Sequence, residues 1–140
     1  MARQTFTSAQ VLTAAQMTTL QASVWSDDVN AQTGTTYTLV LTDAGKQVTT
    51  SNASGVALTI PLNSSVAFAT GVRIWIVNLG AGTLSIAGAG GVTVNSTNAD
   101  LTFPQYSTVL LFKTATDTWN VFRDVDIDDD QTIISSQVFS

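Results

Sequence analysis

Val72-Arg73-Ile74-Trp75-Ile76-Val77-Asn78-Leu79-Gly80-Ala81-Gly82-Thr83-Leu84-Ser85-Ile86-Ala87, residues 72–87, carries the pattern that decides the fold class. A β-branched and aromatic run over 72–78 reads as a strand. Gly80-Ala81-Gly82 reads as a tight turn, and 83–87, alternating in polarity, as the hairpin partner. The same grammar extends upstream. Tyr37, Leu39 and Leu41 alternate with Thr36, Thr38 and Val40, and Asp43-Ala44-Gly45-Lys46 supplies a turn before residues 47–50. Asn52-Ala53-Ser54-Gly55 is a further turn, followed by Val56, Leu58 and Ile60 in alternation and a stop at Pro61. Downstream, Gly88-Ala89-Gly90-Gly91 precedes Val92-Thr93-Val94, and residues 107–114 and 118–123 form a last hairpin around Ala115-Thr116-Asp117. About eight short strands with no helix between them predict a mainly β domain over 36–124, an antiparallel β-sandwich or small β-barrel.

Composition agrees with strands and narrows the chemistry. The chain has 140 residues, a length suited to one domain with its own core. Charged residues are only 11%, against about 25% in an average protein. Every acidic residue is aspartate, and threonine with serine makes up about a quarter of the chain. With no cysteine and no histidine, thiol chemistry, disulfides, zinc sites built on either residue and any imidazole-based triad are excluded. Arg3, Lys46, Arg73, Lys113 and Arg123 are scattered, so no basic stripe is expected to hold nucleic acid. Apolar runs such as Val109-Leu110-Leu111-Phe112 are too short for membrane insertion. No apolar segment follows Met1-Ala2-Arg3-Gln4-Thr5-Phe6, so a secretory signal is not expected.

Residues 1–35 carry the one good helix signal. Thr13 and Gln16 fit a capping box, with Leu12 and Met17 placed as a hydrophobic staple. Met17, Leu20 and Val24 then fall at i, i+3 and i+7, a narrow apolar stripe on a helix over 14–24. A helix this short docks on something. Leu12, Met17, Leu20 and Val24 are therefore the candidate contacts with a partner groove. The alternative is that the helix packs on its own sheet. Residues 125–140 form an acidic arm bearing Ile133-Ile134 and Val138-Phe139, read either as an arm swapped to a neighbouring subunit or as a frayed terminus.

Two strands are apolar on both faces. Ile74 and Ile76 oppose Trp75 and Val77, and the same holds in Val109-Leu110-Leu111-Phe112. A strand apolar on both sides is covered on both sides. Trp75, Val77, Leu110 and Phe112 are thus the candidate oligomer interface. Alternatively, these are central strands of a thick sandwich with Trp75 beneath the N-terminal helix.

Catalytic signals are weak throughout. Asp124-x-Asp126-x-Asp128 starts like a calcium loop, but Asp129 and Ser135 stand where glycine and glutamate are required. The glycine clusters neither open a helix nor precede a Gly-Lys-Ser/Thr. Asp27, Asp28, Asp43, Asp100 and Asp117 sit mostly in apparent turns, where aspartate is favoured structurally. Trp25, Trp75, Trp119, Tyr37 and Tyr106 could stack on sugars, although aromatics at strand positions are more often core. No catalytic constellation, metal site or cofactor site is expected.

Set in order, several short motifs resemble a β-module of bacteriophage minor tail, tail-fibre and head-fibre proteins. They are Tyr37-Thr38-Leu39, Asp43-x-Gly45-Lys46-x-Val48, Thr59-Ile60-Pro61-x-Asn63-Ser64, Phe68-x-x-Gly71, Ile76-x-Asn78-x-Gly80-x-Gly82 and Gly91-Val92-x-Val94. Leu111-x-Lys113 and Asp117-x-Trp119 close the set. Phe6-x-x-x-Gln10-Val11-Leu12-Thr13-Ala14-Ala15-Gln16-Met17 is similar to the opening segment of such proteins. The resemblance spans residues 1–124 and implies a non-enzymatic virion component. It further implies a homotrimer attached by its N-terminal segment to other phage virion proteins of the capsid or tail. Residues 1–35 would be the anchor, 36–124 the module and 125–140 the arm. A second reading is an adhesin that binds a host-surface glycan through exposed aromatics.

Overall fold

The computed structural model describes residues 13–18 and 28–123. Among the described residues ten strands fall into two sheets: β1 (Val29–Gln32), β2 (Thr36–Thr38), β3 (Gln47–Thr50), β4 (Val56–Ile60), β5 (Arg73–Asn78), β6 (Leu84–Gly88), β7 (Thr93–Ser96), β8 (Thr102–Phe103), β9 (Thr108–Ala115) and β10 (Thr118–Arg123). The larger sheet has the order β1-β3-β5-β9-β10-β7, the smaller β2-β4-β6-β8. Successive strands alternate between the sheets through β9, and β1–β2, β3–β4 and β5–β6 are three coils of a solenoid-like stack.

The coils stack in parallel register. Gln47 pairs with Trp75 in one sheet and Val56 with Leu84 in the other; 75 − 47 and 84 − 56 both give 28. Inward positions match across this offset: Val48 with Ile76, Thr50 with Asn78, Val56 with Leu84 and Leu58 with Ile86. Beyond the third coil the pairing turns antiparallel, with β9 on β5, β10 on β9 and β8 on β6, while β7 runs parallel to β10.

The mainly β class holds, but the pairing is mixed and mostly parallel, where an antiparallel arrangement was expected. Five of the eight strand pairs are parallel. Residues 72–78 and 83–87 lie in different sheets and form no hairpin. The reason lies in the corner between them. Asn78 Nδ2 donates to Gly82 O at 2.9 Å and Asn78 Oδ1 accepts from Gly80 N at 3.2 Å, which folds the chain across to the other sheet. Stacking forces the small residues here: a Cβ on Gly82 would lie 1.9 Å from Gly55 N, and one on Gly80 would lie 2.3 Å from Asn52 N. Period-2 alternation serves a hairpin and a coil equally well, because both bury every second side chain.

The expected β9–β10 hairpin is present, with Trp119 opposite Lys113 and Val121 opposite Leu111. Asp117 takes a positive φ of 51° in its turn, a conformation aspartate tolerates. The core lies between the sheets. Val48, Ile74, Ile76, Val109, Leu111, Trp119 and Val121 meet Val56, Leu58, Ile60, Leu84, Ile86 and Phe103. β1 pairs with β3, so the larger sheet begins at Val29, inside the segment read as anchor.

The capping box forms as expected. Thr13 N donates to Gln16 Oε1 at 2.9 Å, and Gln16 N donates to Thr13 Oγ1 at 3.3 Å. Residues 14–18 are helical, whereas 19–24, the remainder of the expected helix, lie outside the described residues.

Candidate functional site: the outer face of the larger sheet

Strand parity sorts the larger sheet into two faces. Ile74, Ile76, Val109 and Leu111 point into the core, and Trp75, Val77, Leu110 and Phe112 point out. Register joins these outward residues. Trp75 lies opposite Leu110, Val77 opposite Thr108 and Arg73 opposite Phe112. Leu110 in turn faces Phe122, and Trp75 faces Gln47, which faces Val29. One row therefore crosses five strands as Val29, Gln47, Trp75, Leu110 and Phe122, with four apolar members. Trp75 is 48% exposed, Phe122 53% and Val29 55%. Arg73 lays its guanidinium over the Phe112 ring, 5.3 Å from the centroid, a cation–π contact at the border of the stripe.

All four expected interface residues share this face. Phe122 and Val29 were not anticipated there. The parity of Trp119-Asn120-Val121-Phe122 already carries the signal for Phe122, since Trp119 and Val121 are core and the intervening positions must face out. The outer face of the smaller sheet contrasts with it: Thr36, Ala57, Ser85 and Thr102 form one row, and Thr38, Thr59 and Ala87 the next. Of the two outer sheet faces, the larger sheet's is the one that carries large apolar side chains.

Of the candidate anchor residues, Met17 is 47% exposed. Leu12, Leu20 and Val24 lie outside the described residues, as do Asp27, Trp25 and the acidic arm.

The other motifs resolve into three polar clusters. The first closes the β1–β2 end of the stack. Asp43 is buried, accepting from Asn30 Nδ2 at 2.7 Å, the Tyr37 hydroxyl at 2.8 Å and Val40 N at 2.9 Å. Burial, then the hydrogen bond to the Asp43 carboxylate, pushes the Tyr37 hydroxyl up to about 12. The second is the Asn78 corner, where Thr50 Oγ1 donates to Asn78 Oδ1 at 3.3 Å and Asn78 Nδ2 reaches Phe103 O at 3.2 Å. The third gathers Asn63, Phe68, Lys113, Asp117 and Trp119. Lys113 Nζ donates to Asn63 Oδ1 and Phe68 O, Asp117 Oδ1 accepts from Asn63 N, and Phe68 meets Trp119 edge-on at 5.4 Å. This cluster pins the connection over 61–72 onto β9 and β10.

Among the described residues the aspartates do not converge. Asp28 pairs with Lys46 at 3.1 Å and Asp117 holds Asn63, while Asp100 accepts from Thr102 and lies 3.6 Å from Arg123. The Thr102 backbone N–H, then its hydroxyl, holds Asp100 below the usual carboxylate range. Among the described residues no group of three or more potential metal ligands is found. Of the aromatics, Trp119 is core, Tyr37 is half-buried in its cluster, and Trp75 and Tyr106 are exposed, Tyr106 by 74%. No family model matches the chain, and neither does any curated protein or solved structure.

Proposed function

We propose that the chain is a non-enzymatic structural protein of a bacteriophage virion. In this reading it is a homotrimeric surface appendage, either a tail fibre or minor tail protein, or a head fibre or capsid decoration. Its N-terminal segment docks on a capsid or tail protein, and the two-sheet body projects as a sandwich-like knob. The observation that carries this reading is the apolar row Val29, Trp75, Leu110 and Phe122 on the outer face of the larger sheet. An apolar stripe on an outer face, continuous here from Trp75 through Leu110 to Phe122, marks an interaction surface. Self-association covers it with a matching stripe. The trimeric state follows from the resemblance.

The test is sedimentation of the purified full chain beside the double variant Trp75→Asp with Leu110→Asp. A trimer that dissociates in the variant without loss of folded signal supports the proposal. A wild-type protein that stays monomeric at micromolar concentration overturns the assembly. A second reading, a glycan-binding adhesin, draws on Trp75 and Phe122 lying two strands apart with Arg73, Gln47 and Asn120 beside them. Glycan-array binding by a monomeric protein, lost in Trp75→Ala, would favour that reading over the first.

A further inference from the structure

Lys113 plays no part in the outer face. It points into the core from β9, 2% exposed, with Nζ at 2.5 Å from Asn63 Oδ1 and 2.6 Å from Phe68 O. Both contacts are shorter than the ~2.7–2.9 Å usual for an ammonium donating to oxygen. Neither partner is a carboxylate, and neither ion pair among the described residues includes Lys113. A buried ammonium matched only by neutral oxygens is costly. An amide nitrogen in the same place carries no such cost.

We infer that Lys113 and Asn63 become joined by an intramolecular isopeptide bond that fastens the 61–72 connection to β9. With Nζ 2.5 Å from Oδ1 and a carbonyl bond of about 1.23 Å, Asn63 Cγ lies no more than about 3.7 Å from the amine, bordering the ~3–3.5 Å of a near-attack geometry. Phe68 and Trp119, 3% and 1% exposed, wall the amine from water. Asn63 itself is only partly buried, which gives the leaving group a way out. Asp117 Oδ1 accepts from Asn63 N at 2.6 Å, so the fold fixes a carboxylate against the reacting residue.

The atoms balance without any co-reactant. Lys113 Nζ gives up a proton and its lone pair adds to Asn63 Cγ. The Cγ–Nδ2 bond then breaks as a second Nζ proton passes to Nδ2, which leaves as ammonia and takes up the first proton. One primary amide and one ammonium become one secondary amide and one ammonium ion. Asp117 is a positioning residue: by accepting from Asn63 N it holds that residue, and so its side-chain amide, against Lys113.

The experiment is the intact mass of the purified full chain in denaturant, with peptide mapping. The expected mass falls short of the sequence mass by one ammonia, about 17 Da, after allowance for the initiator Met1. A branched peptide should contain both Asn63 and Lys113. Lys113→Met and Asn63→Ala should each restore the full mass, a reading that holds even if the variant unfolds. Asp117→Ala, which removes the acceptor for Asn63 N, should form the bond at least tenfold more slowly than wild type when both are sampled at equal times after synthesis. A wild-type chain at full mass, with Asn63 and Lys113 on separate unmodified peptides, overturns the inference. An unchanged rate in Asp117→Ala overturns the role given to Asp117.

Discussion

The Tyr37 hydroxyl donates to Asp43 Oδ2 at 2.8 Å, while Asn30 Nδ2 bridges the same two groups at 2.8 and 2.7 Å. Asp43 is buried without a cation, so its charge rests on these donors and on Val40 N. The pH consequence follows from Tyr37. Its folded pKa is raised from 10.0 to about 12, so the neutral form is the one that folding favours. That contribution to stability is fully present below about pH 10 and is lost as pH rises toward 12. Alkaline unfolding of the wild type should accelerate across that window, and Tyr37→Phe should remove this dependence. At neutral pH the same variant withdraws one donor from a buried carboxylate and should cost about 1–3 kcal/mol in urea unfolding.

Two glycines separate stacking from turn flexibility. A Cβ at position 82 meets the Gly55 backbone at 1.9 Å, whereas one at position 90 has nothing within 4 Å. Gly82→Ala should lower stability by at least about 3 kcal/mol, because backbone must move to admit it. Gly90→Ala should stay within about 0.5 kcal/mol of wild type. Equal effects in the two variants would argue against close stacking of the second and third coils.

The fragment 28–123 should unfold cooperatively on its own, since it contains every described strand and the whole described core. Starting it at residue 34 removes β1 and with it Asn30, a donor to Asp43. The shorter fragment should melt several degrees lower by calorimetry.

An N-terminal anchor predicts a separation of folding from attachment. Met17→Asp with Leu20→Asp should leave the melting temperature of the isolated protein nearly unchanged and strip it from assembled particles. Unfolding of the isolated double variant would instead make residues 13–24 part of the core.

Much of this architecture could be read before any coordinates. Alternation located strands at 47–50, 56–60, 73–78 and 118–123, and the two-sided pattern singled out Trp75, Val77, Leu110 and Phe112, which do share a face. Parallel stacking was hidden, because inward residues recur every second position in coil and hairpin alike. The 28-residue offset was hidden as well. It constrains side-chain volume at Val48/Ile76 or Leu58/Ile86 and not identity, and outward pairs such as Gln47/Trp75 share nothing. Asp43 looked like a turn residue, and its burial depends on Asn30 and Tyr37 arriving from other elements. Lys113 finds Asn63 fifty positions away, a contact that no local pattern encodes.

The strand directions in the larger sheet give the molecule a heading. β1, β3 and β5 run one way, β9 reverses, and β10 resumes the direction of β1. The chain therefore arrives at Val29 and departs after Arg123 travelling the same way, its two crossing points four strand spacings, or about 19 Å, apart. A body tethered at Val29 would hold Arg123 at its far end, away from the tether.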